Sequence, residues 1–195
     1  MRIGKPTLAF ASLLLCGSSG VTMSWAQGAG PLNTPVGGFT DGKAAKIVWI
    51  VPGVIKKDNI STDFMCTSLE ASGVKVDIGV ELFDVDGTQL NKIDGTIPIA
   101  GSTCPTGAVL NVESGSTKTI GIEGTVQLHE DCKIGLGPAL AQGSARIVST
   151  SSRIVCDAIA LDDKHVVTAP NVCSTCPPPP MTSLKVMRPK KQIGD

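Results

Sequence analysis

Residues 74–87, VKVDIGVELFDVDG, place four carboxylates within fourteen positions: Asp77, Glu81, Asp84 and Asp86. Carboxylates at that density could hold calcium or share acid–base work. The "DVDG" segment matches the centre of a calcium loop, where acids at positions three and five precede a glycine at six. In that register the first ligand falls on Leu82 and the bidentate twelfth on Ile93, so an EF-hand is excluded. Asp77 and Glu81 alternate with Val76, Ile78, Val80 and Leu82. A period of two predicts a strand with an apolar face and a wet face. Val76, Ile78, Val80 and Leu82 are therefore expected to be buried, and Asp77 and Glu81 exposed. Hydrolysis by paired acids would need carboxylates from separate strands, for which Asp77, Glu81 and Asp157 are the candidates.

Other groups promise less. "CSTC" at 173–176 has the spacing of a redox pair, but an activated thiolate needs a helix start, and Pro177 follows immediately. Haem attachment would need histidine at that same position. "LHEDC" sets His129, Glu130 and Asp131 side by side, yet neighbours on a strand point to opposite faces and cannot converge on one metal. No G-x-S-x-G is present, and His165 follows an acidic "DDK" turn. "NIS" at 59–61 is a glycosylation sequon where the host glycosylates. The expectation is no catalytic residue, no cofactor and no metal.

The compartment can be read from the ends and the cysteines. Arg2 and Lys5 precede an apolar run from Leu8 to Cys16, and Ser24-Trp25-Ala26 supplies a small-x-small end. That pattern predicts a signal peptide over 1–26, too short in its apolar centre to span a membrane. Cleavage after Ala26 leaves 195 − 26 = 169 residues, one domain's worth, with 15 basic and 17 acidic side chains. A net of −2 gives no reason to expect nucleic acid. Six cysteines remain: Cys66, Cys104, Cys132, Cys156, Cys173 and Cys176. In a secreted or periplasmic chain they read as disulfides. Cys66 and Cys156 lie within apolar strands and are expected to be close together; Cys104 and Cys132 form the next pair.

The elements that must carry these groups are short strands. "KIVWIV" stops at Pro52-Gly53, and "FMCTSL", "TQLNKI", "GAVLNV", "TKTIGIEGTVQL", "SARIVS", "RIVCDAIAL" and "HVVTA" follow at intervals broken by polar turns. Only "IGLGPALAQG" offers a helical turn. This predicts an all-β fold, a single antiparallel β-sandwich of about eight strands, immunoglobulin-like or similar. The sandwich is expected over 44–176, with a flexible leader at 27–43 and a flexible Pro-rich basic tail at 177–195. Four prolines at 177–180 favour an extended spacer, and Lys185, Arg188, Lys190 and Lys191 beyond them are candidate contacts to an anionic surface. Residues 27–184 carry 11 basic and 16 acidic groups, a net of −5, so body and tail have opposite charge. One Trp, three Phe and no Tyr remain after residue 26, which predicts no aromatic-lined sugar cleft.

The stretches "WIVPGV", "MCTSLEASGVKVDIGVELFDVDGTQLN" and "QGSARIVSTSSRIVCDAIALD" resemble small secreted bacterial proteins of unassigned role. The resemblance covers residues 46–162 and carries no catalytic residue. Trp49 with Cys66 and Cys156 also resembles an immunoglobulin-like core, except that Trp49 precedes both cysteines instead of lying between them. Taken together, the expected function is that of an exported binding, adhesive or envelope-associated module. The partner is a protein or envelope component, there is no transmembrane span, and a secreted hydrolase is the alternative.

Overall fold

The computed structural model describes residues 28–100, 102–123, 128–136, 140–162 and 181–189. Two sheets pack face to face. The four-stranded sheet contains β1 (Lys46–Lys56), β7 (Leu140–Ser149), β3 (Val76–Phe83) and β4 (Ala108–Val112), in that spatial order. The five-stranded sheet runs β6 (Cys132–Lys133), β5 (Thr117–Gly121), β2 (Ile60–Ser68), β8 (Ile154–Asp162) and β9 (Met181–Leu184). Neighbours are antiparallel except β5 with β6. The all-β sandwich is as the alternating runs predicted.

The core between the sheets is built from inward-facing alternate residues. Val76, Ile78, Val80 and Leu82 of β3 meet Phe64 and Cys66 of β2, Ile120 of β5, and Ile154 and Ala158 of β8. Burying a branched side chain stabilises by about 1.5–3 kcal/mol relative to leaving it exposed, which makes this cluster the main support of the fold. Two disulfides fasten it. Cys66–Cys156 joins directly opposed positions of β2 and β8, and Cys104–Cys132 ties a loop to β6. Both pairings agree with the expectation. Cys66–Cys156 lies within one sheet, whereas an immunoglobulin core carries its disulfide between sheets. Cys173 and Cys176 lie outside the described residues.

Several boundaries differ from the sequence reading. β1 does not stop at Pro52-Gly53: it runs on to Lys56 through a register shift, with Gly53 at φ +77°. It is an edge strand, where proline's missing donor costs little. "TQLNKI" makes only one isolated bridge, Gln89 with Phe83, instead of a returning strand. The strand begun at Thr117 ends at Gly121, and Leu140–Gln142 belong to β7 and not to a helical turn. Residues 165–169, expected as a strand, lie outside the described residues. The one helix among the described residues, α1 (Gly30–Asn33), is a single turn in the segment expected to be a flexible leader.

That leader is the larger correction. Residues 28–45 lie across the outer face of the four-stranded sheet, with Gly28 N–H bonded to Asp86 O and Gly30 N–H to Gly87 O, both at 3.0 Å. The expected tail also joins the body. β9 pairs with the outer side of β8, and Met187 then exchanges two backbone hydrogen bonds with Ile50 of β1. Residues 181–189 thus cross from the edge of one sheet to the edge of the other. The pairing uses backbone groups, which every residue carries, and only Leu184 and Val186 of this segment pack half-buried against the main core, too short an alternation to announce a strand.

Candidate functional site

The outward-facing residues of β3 are Asp77, Gly79, Glu81 and Phe83, and none is wet: Asp77, Glu81 and Phe83 are each 0% exposed. This overturns the expected solvated face. What covers it can be read one residue at a time along the strand.

Asp77 is held from two sides. Its Oδ1 accepts from Asn111 N–H at 2.7 Å and its Oδ2 from Lys43 Nζ at 2.8 Å. Asn111 adopts φ +56°, the left-handed region that asparagine tolerates, at the register shift in the β3–β4 pairing. Lys43 bridges Asp77 to Asp41, and those two carboxylates, Asp41 first, raise its ammonium above the ordinary 10.5. The hydrogen bond from Lys43 in turn holds Asp41 below its usual 3.8.

Gly79 is a space. A β-carbon there would lie 2.6 Å from Ile93 Cγ2 and 3.4 Å from Phe39 Cε1. Phe39, Ile93 and Val148 form a second, smaller core on this face, flanked by Val36, Ala45, Ile47, Ala108 and Leu110. Glycine in the middle of a strand usually marks a close approach, and here it admits the aromatic ring and the isoleucine.

Glu81 stands directly opposite Arg146 of β7, and both side chains are fully buried. Oε2 accepts from Arg146 Nε at 2.5 Å, and Oε1 accepts from Ile93 N–H at 3.1 Å. The guanidinium also donates to the carbonyls of Pro31, Thr34 and Pro35, all in the leader, and lies 5.2 Å from the centroid of Phe83. A buried ion pair is tolerated only where the remaining donors and acceptors are satisfied. The leader's carbonyls do that here.

Asp84 and Asp86 complete the stretch. Asp84 Oδ1 accepts from Asp86 N–H at 3.0 Å and Thr88 N–H at 2.8 Å, a side-chain-stabilised turn. Two of the four acids therefore clamp the leader, and Asp84 shapes the turn in which Asp86 sits. Asp77 and Glu81 lie on the four-stranded sheet, Asp157 on the exposed outer side of the five-stranded one. The fold does not bring the three acids together.

The remaining sequence candidates are also dispersed. Asp131 accepts from Lys118 Nζ at 2.7 Å and Thr119 N–H at 2.9 Å. Partial burial works to raise its pKa, but the Lys118 and Thr119 bonds outweigh it and hold the carboxyl below 3.8. No group of three metal-ligating side chains occurs among the described residues. Lys185 and Arg188 are exposed, with Arg188 4.7 Å above the ring of Trp49; Lys190 and Lys191 lie outside the described residues. Two shallow cavities, of about 370 and 360 Å³, are lined by Asp84, Val85 and Leu140–Gln142 and by Ile55, Ile60, Ala160–Asp162 and Thr182. Neither contains Asp77, Glu81 or Asp157. No described helix is long and apolar enough to cross a membrane.

Sequence reasoning missed Lys43 and Arg146. The signal for Arg146 was present: in "SARIVS" it alternates with Ala145 and Ile147, which places its cation on the strand face opposite the apolar one. Comparisons with family models, with curated proteins and with solved structures found no match to this chain.

Proposed function

We propose that the chain is an exported β-sandwich that binds or builds in the envelope or extracellular space, with the small secreted bacterial proteins it resembles as its kin. The observation that carries the proposal is the fate of Asp77 and Glu81. Two of the three acids that could have served a hydrolase are closed off from solvent and committed to holding the leader, and Asp157 stands apart on the other sheet. Two disulfides support the oxidising compartment, because such bonds persist outside the cytosol. With one sheet face occupied by the chain's own leader, the surfaces left for a partner among the described residues are the outer side of the five-stranded sheet and the sandwich edges. On that outer side Val155 and Met181 remain nearly half exposed, at 48% and 46%.

The test is to fractionate a host producing the native chain and sequence the N-terminus of the recovered product. A start at Gln27, blocked thiols at Cys66 and Cys156, and recovery with the envelope or medium are expected. A reduced, unprocessed protein in the cytosol would overturn the reading.

A further inference from the structure

The ion pairs of the described residues divide the cations into two sets. Lys43, Lys56, Lys75, Lys92, Lys118, Lys133, Arg146 and Arg153 each meet a carboxylate. Lys46, Lys57, Lys185 and Arg188 meet none, and all four are exposed. They are distributed along one edge of the fold. Lys46 opens β1, Lys57 follows its last residue, and Lys185 and Arg188 flank Met187, which is bonded to Ile50 at the middle of β1. Arg188 is fixed over Trp49. At about 3.3 Å per residue, the row from Lys46 to Lys57 extends over roughly 35 Å.

We propose that this edge, β1 with the C-terminal segment laid against it, is a binding strip for a linear polyanion, an acidic polysaccharide bearing carboxylate or sulfate groups. The inference rests on the exported-module reading and names its partner. Single-file cations meet a linear polymer in sequence. A flat anionic membrane, by contrast, would also face a body whose net charge over residues 27–184 is −5 and would repel it. Recognition is by charge, so the scarcity of aromatic platforms is no obstacle. Lysines on an exposed edge strand also deter strand addition, but that role does not require Lys185 and Arg188, which lie outside β1.

The experiment uses the exported full-length product on immobilised heparin, a sulfated polysaccharide, with elution by salt. Two fourfold variants are compared, each confirmed folded by thermal melting. The edge variant is Lys46→Gln, Lys57→Gln, Lys185→Gln and Arg188→Gln; the control is Lys75→Gln, Lys92→Gln, Lys118→Gln and Lys133→Gln, which removes equal charge elsewhere. Exposed charge contacts are individually weak, so the edge variant should lose roughly tenfold in affinity. The control should keep most of the wild-type affinity, and Arg188→Lys alone should bind as wild type. Equal losses in both fourfold variants, or no retention of the wild type at low salt, would overturn the strip. Preference for phosphatidylglycerol vesicles over heparin would overturn the polymer in favour of a lipid surface. If the edge variant binds heparin normally yet still fractionates with the envelope, the strip is wrong while the exported-module reading stands.

Discussion

Glu81 and Arg146 face each other across β3 and β7 with no solvent exposure on either side chain, and the guanidinium also reaches three carbonyls of the N-terminal leader. The pair therefore links three parts of the chain that are remote in sequence. Its stabilising role depends on the whole set of partners, since desolvating two charges is repaid only by complete hydrogen bonding.

Arg146→Met leaves Glu81 as a buried carboxylate without its cation. Loss of about 3–5 kcal/mol is expected in urea unfolding. The double variant Glu81→Leu with Arg146→Met should recover part of that loss, because no lone charge remains inside. A wild-type midpoint for Arg146→Met alone would show that the pair is not buried as described.

Gly79 gives a second handle on the covered face. Gly79→Val places methyl groups where Ile93 and Phe39 already sit, and overpacking of this kind costs about 1–3 kcal/mol. Adding Ile93→Ala should restore part of the stability. Additive losses in the double variant would mean the two positions do not touch.

The apolar face of β3 is tested by Val80→Asp. Val80 is 0% exposed, and an unpaired charge there costs several kcal/mol, so the domain should fail to fold. An unchanged melting temperature would mean the strand register is reversed.

The apolar and polar faces of β3 were equally regular in the sequence, yet only one was read correctly. Val76, Ile78, Val80 and Leu82 form the core as their alternation required. Asp77 and Glu81 looked wet because alternation reports which residues share a face, not whether another segment covers it. The cover comes from residues 28–45, whose glycines and prolines have no period. Their attachment combines backbone carbonyls on Arg146, the Gly28 and Gly30 N–H groups on Asp86 and Gly87, one lysine on Asp77, and Phe39 packed with Ile93 and Val148, groups spaced without a period. Gly28 shows the same limit: a β-carbon there would lie 2.0 Å from Gly87 O, a constraint visible only once the two backbones are stacked. For β9 the same reason holds, since its side chains are mostly exposed and its pairing is main-chain.

Acid sensitivity should follow Asp131 and Asp94. Burial works against both, but Lys118 and Thr119, and Lys92 and Thr96, hold their folded pKa values below 3.8. A depressed folded value gives stability that is present above the unfolded pKa and is lost as pH falls through the folded one. Stability should therefore drop below about pH 4, and Asp131→Asn should flatten that drop. A variant as acid-sensitive as wild type would remove Asp131 from the account.

The disulfides should contribute unequally. Cys66–Cys156 spans 90 positions and Cys104–Cys132 spans 28. By loop-closure entropy, replacing the first pair with serines should cost about 4–5 kcal/mol and the second about 3–4 kcal/mol. Non-reducing peptide maps of the exported protein should show both links, and a free Cys66 thiol would contradict the first.

The central claim is that the leader is a fixed cover over β3, clamped by Asp77 and Glu81, and the most direct measurement of it is hydrogen exchange resolved over residues 28–45. In the wild type the amides of Gly28, Gly30 and Phe39, which donate to Asp86, Gly87 and Lys43, should be protected well beyond unfolded-chain rates. In Glu81→Gln that protection should fall while Ile78 and Val80 stay protected. Leader amides exchanging at unfolded-chain rates in the wild type would contradict the claim and return Asp77 and Glu81 to solvent.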